Sequence, residues 1–131
     1  MLYTILIYAS EGVFEQLPPE EQQAVLAKHG AMQDALAEEG RLGPFAKLMD
    51  TTSAMTLRGR RGEAGDSVLV TDGPYAETKE QLLGFYMIEC ASVEEAIDAV
   101  KMLPQGTATY EIRAAGWTHL DRERDHAERD G

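Results

Sequence analysis

Short apolar runs along the chain predict six β-strands. Residues 2–8 form an almost continuous apolar run rich in β-branched and aromatic side chains, which is typical of a buried central strand. Residues 53–58 alternate between apolar and polar positions, as expected for a half-buried strand. The other predicted strands are an irregular one that begins at Leu42 and three at residues 67–71, 85–90 and 107–114.

A first helix is predicted between Pro18 and Gly40. Proline is tolerated in the first turn of a helix, and glycine is common just after the last turn. Between them, four residues recur at the spacing i, i+4, i+7 and i+11, namely Val25, His29, Met32 and Leu36. This stripe is typical of a helix that lies on a sheet.

A second helix is predicted to begin at Ser92. Ser92 and Glu95 have the spacing of a capping box, in which each residue satisfies a free N–H group at the helix start. Val93, Ile97 and Val100 then share one face of this helix.

The order of strand, helix, several strands, helix and strand forms two βαβ-like halves around one sheet. This order predicts an α+β fold of the ferredoxin-like kind with an antiparallel sheet. Both helices of such a fold lie on one face, so the other face of the sheet needs a cover.

Composition narrows the class of protein. The 131 residues fit a single domain, which we place at residues 1–116, followed by a charged tail at 117–131 that is either frayed or a short exposed helix. The formal net charge of −11 argues against binding to nucleic acid or to anionic membranes. The single cysteine, Cys90, and the absence of a basic, signal-like N-terminus favour a cytoplasmic protein.

A long loop is predicted between the strands at 67–71 and 85–90. It begins Asp72-Gly73-Pro74-Tyr75, continues through Thr78 and Lys79, and is closed by Gly84-Phe85-Tyr86. In one interpretation Asp72 and Pro74 merely shape a turn. In the other, the loop forms the wall of a pocket, where Thr78 and Lys79 offer a hydroxyl and a cation to a ligand.

This segment resembles the DGPF-type motif of the YCII-related family, with Tyr75 in place of the usual phenylalanine. The resemblance extends over residues 1–115. It implies that two sheets pack face to face in a homodimer, the dimeric α+β barrel. Proteins of the DGPF type often occur beside extracytoplasmic-function sigma factors, which implies a regulatory association as one alternative.

His29 is the first candidate for chemistry. Its place in the apolar stripe is compatible with a packed core histidine. Family members, however, often carry a histidine eleven residues before the glycine that ends this helix, as His29 and Gly40 do. The resemblance implies an acid–base site with a carboxylate partner. We expect Asp72 to be that partner, because the turn of the motif can bring it near the helix. Asp34 and Glu38 are weaker candidates, because they lie on other sides of the helix from His29.

Three tyrosines, Tyr8, Tyr75 and Tyr86, either add phenol groups to the same cavity or simply pack on strands. The histidines are dispersed and no cofactor-binding motif is present, so we expect neither a metal nor a cofactor.

Three functions remain open from the sequence. The first is a small cofactor-independent lyase or isomerase that uses His29 as acid–base and acts on a phenol, quinone or organic acid. The second is a ligand-binding or accessory protein without chemistry, and the third is a purely structural dimer module. The first rests on analogy with other dimeric α+β barrels, and one fold hosts many functions.

Overall fold

The computed structural model describes residues 1–62 and 68–130, which form a four-stranded sheet, a separate two-stranded hairpin and three α-helices. The strands are β1 (Leu2–Ala9), β2 (Leu42–Lys47), β3 (Met55–Arg58), β4 (Leu69–Asp72), β5 (Gln81–Glu89) and β6 (Thr109–Ala114). The helices are α1 (Pro19–Glu38), α2 (Val93–Val100) and α3 (His119–Asp130). A single turn of 3₁₀ helix, Thr51–Ser53, precedes β3.

The main sheet has the strand order β2-β5-β1-β6 and every pair is antiparallel. The predicted α+β fold of the ferredoxin-like kind is therefore confirmed. The central strand is β1, as its continuous apolar run predicts, and Ile5 pairs with Tyr86 on one side and Ile112 on the other. The hairpin of β3 and β4 is an addition between β2 and β5.

The limits of two predicted elements change in the structure. The fifth strand begins at Gln81, not at residue 85, so the end of the motif belongs to β5 rather than to the loop. The predicted fourth strand at 67–71 appears as Leu69–Asp72, and its first residue lies outside the described residues. The same holds for most of the predicted glycine-rich turn at 59–66, because residues 63–67 are not described.

The hydrophobic core lies between the sheet and the helices α1 and α2. On β1, Tyr3 and Ile5 face this core, because alternate residues of a strand point to opposite faces. On α1, the buried members of the predicted stripe are Met32 and Leu36. Val25 and His29 continue the same stripe but are only partly buried, so the core gives way to an open space at the N-terminal half of α1.

The start of α2 confirms the predicted cap with one difference. The Ser92 hydroxyl accepts a hydrogen bond from the Glu95 N–H at 3.2 Å. The Glu95 carboxylate accepts from the N–H of Ala91 at 3.1 Å, one residue before the expected donor. The same carboxylate lies 2.6 Å from Arg41, which joins the start of α2 to the segment after α1.

Only part of the apolar face of α2 is buried. Ala96, Ala99 and Val100 are buried, whereas Val93 and Ile97 are 42% and 39% exposed. The three buried positions have the i, i+3, i+4 spacing of a helical stripe. Their alanines allow the helix to approach the sheet closely, and this places the larger side chains at the edge.

The opposite face of the sheet is less completely covered. Leu6, Tyr8, Phe85 and Met87 on this face are partly exposed. The charged C-terminal segment forms the helix α3, which resolves the two alternatives left open by its sequence. Among the described residues, no helix combines the length and apolar character that crossing a bilayer requires.

Candidate functional site

A cavity of about 290 Å³ lies between the N-terminal half of α1 and the helix-facing side of the sheet. Its walls are mostly apolar and include Val25 and Leu26 of α1, Ile7 of β1, Phe45 of β2, and Phe14 and Leu17 from the segment before α1. Three positions on this side of the sheet are small, namely Ala9, Gly84 and Ala108, and this leaves room for the cavity. Farther along α1, the same layer is filled by Met32 and Leu36.

Three polar side chains meet on one wall of this cavity. The Nδ1 atom of His29 lies 2.7 Å from the hydroxyl oxygen of Tyr86. The side-chain amide of Gln33 donates to the same oxygen at 2.8 Å. His29 and Gln33 are four residues apart on α1 and therefore share one face of the helix. Tyr86 comes from β5, so the cluster joins the helix to the sheet.

Aromatic packing fixes the position of Tyr86. Its ring lies nearly parallel to the His29 ring, with centroids 5.9 Å apart and planes inclined by 17°. On the other side the ring of Phe45 lies 5.2 Å away and is tilted by 30°. Tyr86 is 3% exposed, so its hydroxyl depends on protein partners for hydrogen bonds.

Burial determines the charge state of the cluster. It lowers the pKa of His29, because a charged imidazolium loses hydration in the half-buried site. It also raises the pKa of Tyr86, an effect that the hydrogen bond from Gln33 partly opposes. Both side chains are therefore neutral near pH 7.

Two further titratable residues line the cavity. Tyr110 of β6 donates its hydroxyl proton to the carbonyl oxygen of Pro104 at 2.5 Å, and burial raises its pKa to about 12. Lys47 of β2 is 72% exposed, and its ammonium lies 3.7 Å from the carboxylate of Glu15 and 5.2 Å from the centre of the Phe14 ring. A cation therefore borders the cavity on its solvent side.

The predicted catalytic pair is not assembled in this structure. His29 lines the cavity, but Asp72 is an exposed residue at the end of β4 and does not line it. No aspartate or glutamate is found among the described residues of the lining. The nitrogen of His29 that a carboxylate would orient is in contact with the Tyr86 hydroxyl instead. The pairing of Asp72 with His29 stays a prediction without support from this geometry.

The residues predicted to bind a ligand are divided among separate places. Tyr86 joins His29, as described above. Pro74, Thr78 and Lys79 line a second, more open cavity of about 380 Å³, whose lining also includes Glu11 and Glu77. The motif loop therefore forms a pocket wall, but a different one from that of His29.

The other two predicted tyrosines line neither cavity. Tyr75 is 76% exposed, and the guanidinium of Arg58 lies 4.9 Å from the centre of its ring. Tyr8 points to the opposite face of the sheet, whereas its neighbours Ile7 and Ala9 line the cavity of His29.

Sequence reasoning missed Gln33, which is as close to Tyr86 as His29 is. The signal that could have found it is the i, i+4 spacing from His29, which places both side chains on one helix face. Within the described part of the chain, no group of three or more His, Cys, Asp or Glu side chains is placed to hold a metal ion.

The fold and this site define a small ferredoxin-like α+β protein with an apolar, ligand-sized cavity between one helix and the sheet. The chain belongs to the YCII-related domain family, whose model matches residues 1–115. It is also 47% identical over 116 residues to an uncharacterised protein of Rhizobium meliloti (strain 1021), a match that covers 86% of this chain and 90% of the relative. The predicted membership of the YCII-related family is thereby confirmed.

Proposed function

We propose that the cavity between α1 and the sheet binds a small ligand with an apolar ring, and that His29 and Gln33 contact its polar group. The observation that carries this proposal is the cluster of His29, Gln33 and Tyr86 on one wall of an otherwise apolar cavity. Ligand sites typically combine mostly apolar walls with a few converging polar groups. Phenols, quinones and organic acids with a ring match this description.

A second candidate function is catalysis, as a cofactor-independent lyase or isomerase in which His29 exchanges a proton with the ligand. The observation that favours it is the lowered pKa of His29, which keeps the imidazole unprotonated near pH 7. A general base must be unprotonated at the working pH. Binding is the broader proposal, because it requires no proton transfer.

A screen of thermal unfolding tests both candidates. A ligand present at 100 times its Kd stabilises the folded state by about 2.7 kcal/mol, which gives a readable rise in Tm. We expect members of one ring-containing class to raise Tm. Ala108→Leu, which fills the cavity, and His29→Phe, which removes a polar contact, should each reduce this rise. Lys79→Ala changes the second cavity and serves as the matched control.

Two outcomes contradict the proposal. One is that no compound of the three classes raises Tm, and the other is that Lys79→Ala abolishes binding while Ala108→Leu leaves it intact. Proton NMR of the protein incubated with a ligand that binds then separates the two candidates. Conversion that is lost in His29→Gln indicates catalysis, and an unchanged ligand indicates binding alone.

We also propose that a second copy of the chain covers the outer face of the sheet, as the family resemblance implies. Support comes from the partly exposed Leu6, Phe85 and Met87 on that face, and from the β3–β4 hairpin, where Leu57 and Leu69 are 64% and 62% exposed. Apolar surface of this extent in a folded protein is typical of an interface. Sedimentation equilibrium should show a dimer that Met87→Glu converts to monomer, and a monomeric wild-type chain would refute the proposal.

A further inference from the structure

We propose that Gln33 acts through Tyr86 to hold His29 in the tautomer that carries its proton on Nε2, so that the cavity offers an N–H donor to a carbonyl oxygen of its ligand. This inference rests on the proposed binding function of the same cavity. It assigns Gln33 as a positioning residue, and it selects ring-containing carbonyl compounds from the candidate ligands.

The argument begins with the protons of the cluster. The amide nitrogen of Gln33 carries two protons and no available lone pair, so at 2.8 Å it donates to the Tyr86 oxygen. A hydroxyl group has one proton of its own. With the Gln33 bond accepted, that proton is directed to the remaining neighbour, Nδ1 of His29, at 2.7 Å. Nδ1 therefore accepts, and the neutral imidazole carries its proton on Nε2.

The surroundings preserve this arrangement. The titratable groups that line the cavity with His29 are Tyr86 of β5, Tyr110 of β6 and Lys47 of β2. The hydroxyl proton of Tyr110 is donated to the carbonyl oxygen of Pro104, so it does not compete for His29. Lys47 is 72% exposed and its ammonium lies 3.7 Å from the carboxylate of Glu15. No described residue of the lining is a carboxylate that would stabilise the imidazolium form.

The series of hydrogen bonds from Gln33 through Tyr86 to His29 ends at the Nε2–H group of His29. Nε2 of His29 has no hydrogen-bond partner among the described residues, and His29 lines the cavity. A ligand that fills the cavity shields this donor from water, so a ligand that brings an acceptor is favoured, because one without an acceptor would leave the donor unpaired at a cost in binding free energy. A ketone, quinone or lactone oxygen accepts and never donates. It therefore matches this polarity better than a hydrocarbon ring of the same shape.

The tautomer is measured directly by ¹⁵N NMR of the imidazole. Protonated and unprotonated ring nitrogens resonate far apart, so the spectrum tells which nitrogen of His29 carries the proton. We expect Nε2–H in the wild-type protein. In Gln33→Glu, the new carboxylate accepts the Tyr86 proton, the Tyr86 oxygen accepts from His29, and Nδ1 becomes protonated. Gln23→Glu adds the same charge at an exposed position of α1 and should leave the wild-type spectrum unchanged.

Rotation of the Gln33 amide by 180° would reverse every donor in the cluster. A wild-type spectrum with the proton on Nδ1 therefore overturns the proposal outright. A tautomer that is unchanged in Gln33→Glu overturns the role of Gln33. Both measurements are made without ligand, so their outcome does not depend on the proposed binding function.

A matched pair of probes tests the choice of ligand. 1-Tetralone and tetralin have the same fused-ring skeleton and differ in the carbonyl group. We expect 1-tetralone to bind roughly three- to tenfold more tightly, the range for one net hydrogen bond. The preference should disappear in Gln33→Glu and persist in Gln23→Glu. Equal affinity of the two probes in the wild-type protein refutes the acceptor preference. Failure of both to bind instead contradicts the proposed binding function, and the ¹⁵N result is still readable.

Discussion

The Tyr86→Phe substitution removes the one hydroxyl that joins His29 to Gln33 and leaves the aromatic ring in place. The contacts of this ring with His29 and Phe45 depend on ring atoms, so phenylalanine preserves them. Two side-chain hydrogen bonds are lost, each with a net contribution of about 0.5–1.5 kcal/mol. Since His29 and Gln33 are only half-buried, water can replace the missing partner, and we expect a loss of about 1–2 kcal/mol.

The substitution should also change the titration of His29. In the proposed tautomer the Tyr86 hydroxyl donates to Nδ1 and favours the neutral imidazole, so its removal should raise the pKa of His29. Urea unfolding measures the loss of stability, and NMR of the imidazole measures the pKa. Tyr110→Phe is the control, because it removes a hydroxyl from the same cavity without touching His29. A Tyr86→Phe protein with wild-type stability and wild-type His29 titration would refute the described contacts.

Three more predictions concern stability measured by urea unfolding. Burial lowers the pKa of His29 in the folded state, so the unfolded state takes up a proton first as the pH decreases. Below about pH 6.5, the stability of the wild-type protein should therefore fall relative to that of His29→Phe, by at most about 1.4 kcal/mol per pH unit, and level off below the folded pKa. Parallel pH profiles of the two proteins would contradict this. Gly30→Ala should stabilise the folded state by about 0.5–1 kcal/mol, because Gly30 lies inside α1 and the new Cβ meets open space. Gly40→Ala should destabilise it by about 1–2 kcal/mol, because Gly40 has a φ of +68°. Equal effects of the two substitutions would refute the conformational argument. Met32→Ala should cost about 2–5 kcal/mol, since Met32 is fully buried, and a loss below 1 kcal/mol would show that the site collapses around the smaller side chain.

The fold could be predicted because its causes are local and repeated. The stripe on α1 depends on helical periodicity, and its buried members Met32 and Leu36 lie where that periodicity places them. Gly40 ends the helix through a positive φ, and the N–H of Arg41 then bonds to the carbonyl oxygen of Leu36 at 2.8 Å. The partial exposure of the apolar face of α2 does not follow from its sequence, because apolar size alone does not reveal which side chains the sheet has room for. Alanines were the better fit.

The candidate site was harder to predict because it depends on distances between elements. The position of Asp72 at the start of the motif says nothing about where the β3–β4 hairpin directs the loop, because the two strands of this hairpin pair with each other and not with the main sheet. Tyr86 was identified as a strand residue on the core face, and its contact with Gln33 arises only after β5 is placed under α1. The face of the sheet on which a strand residue lies follows from the periodicity of the sequence. Which side chains of the helix layer and the sheet layer touch each other is known only from the folded structure.

The partner of His29 determines which chemistry the cavity can support. A carboxylate on Nδ1 would stabilise the imidazolium form, raise the pKa of His29 and leave a basic lone pair on Nε2. In the proposed tautomer the Tyr86 hydroxyl donates to Nδ1, which has the opposite effect on each of these properties. The described cluster therefore suits polarisation of a carbonyl by a neutral imidazole better than abstraction of a proton by a base. If the protein turns over a ligand, the reaction should begin with polarisation of the carbonyl group. Gln33→Glu should then change the pH profile of the reaction and not merely its rate, because this substitution exchanges donor for acceptor at Nε2, the nitrogen that faces the ligand.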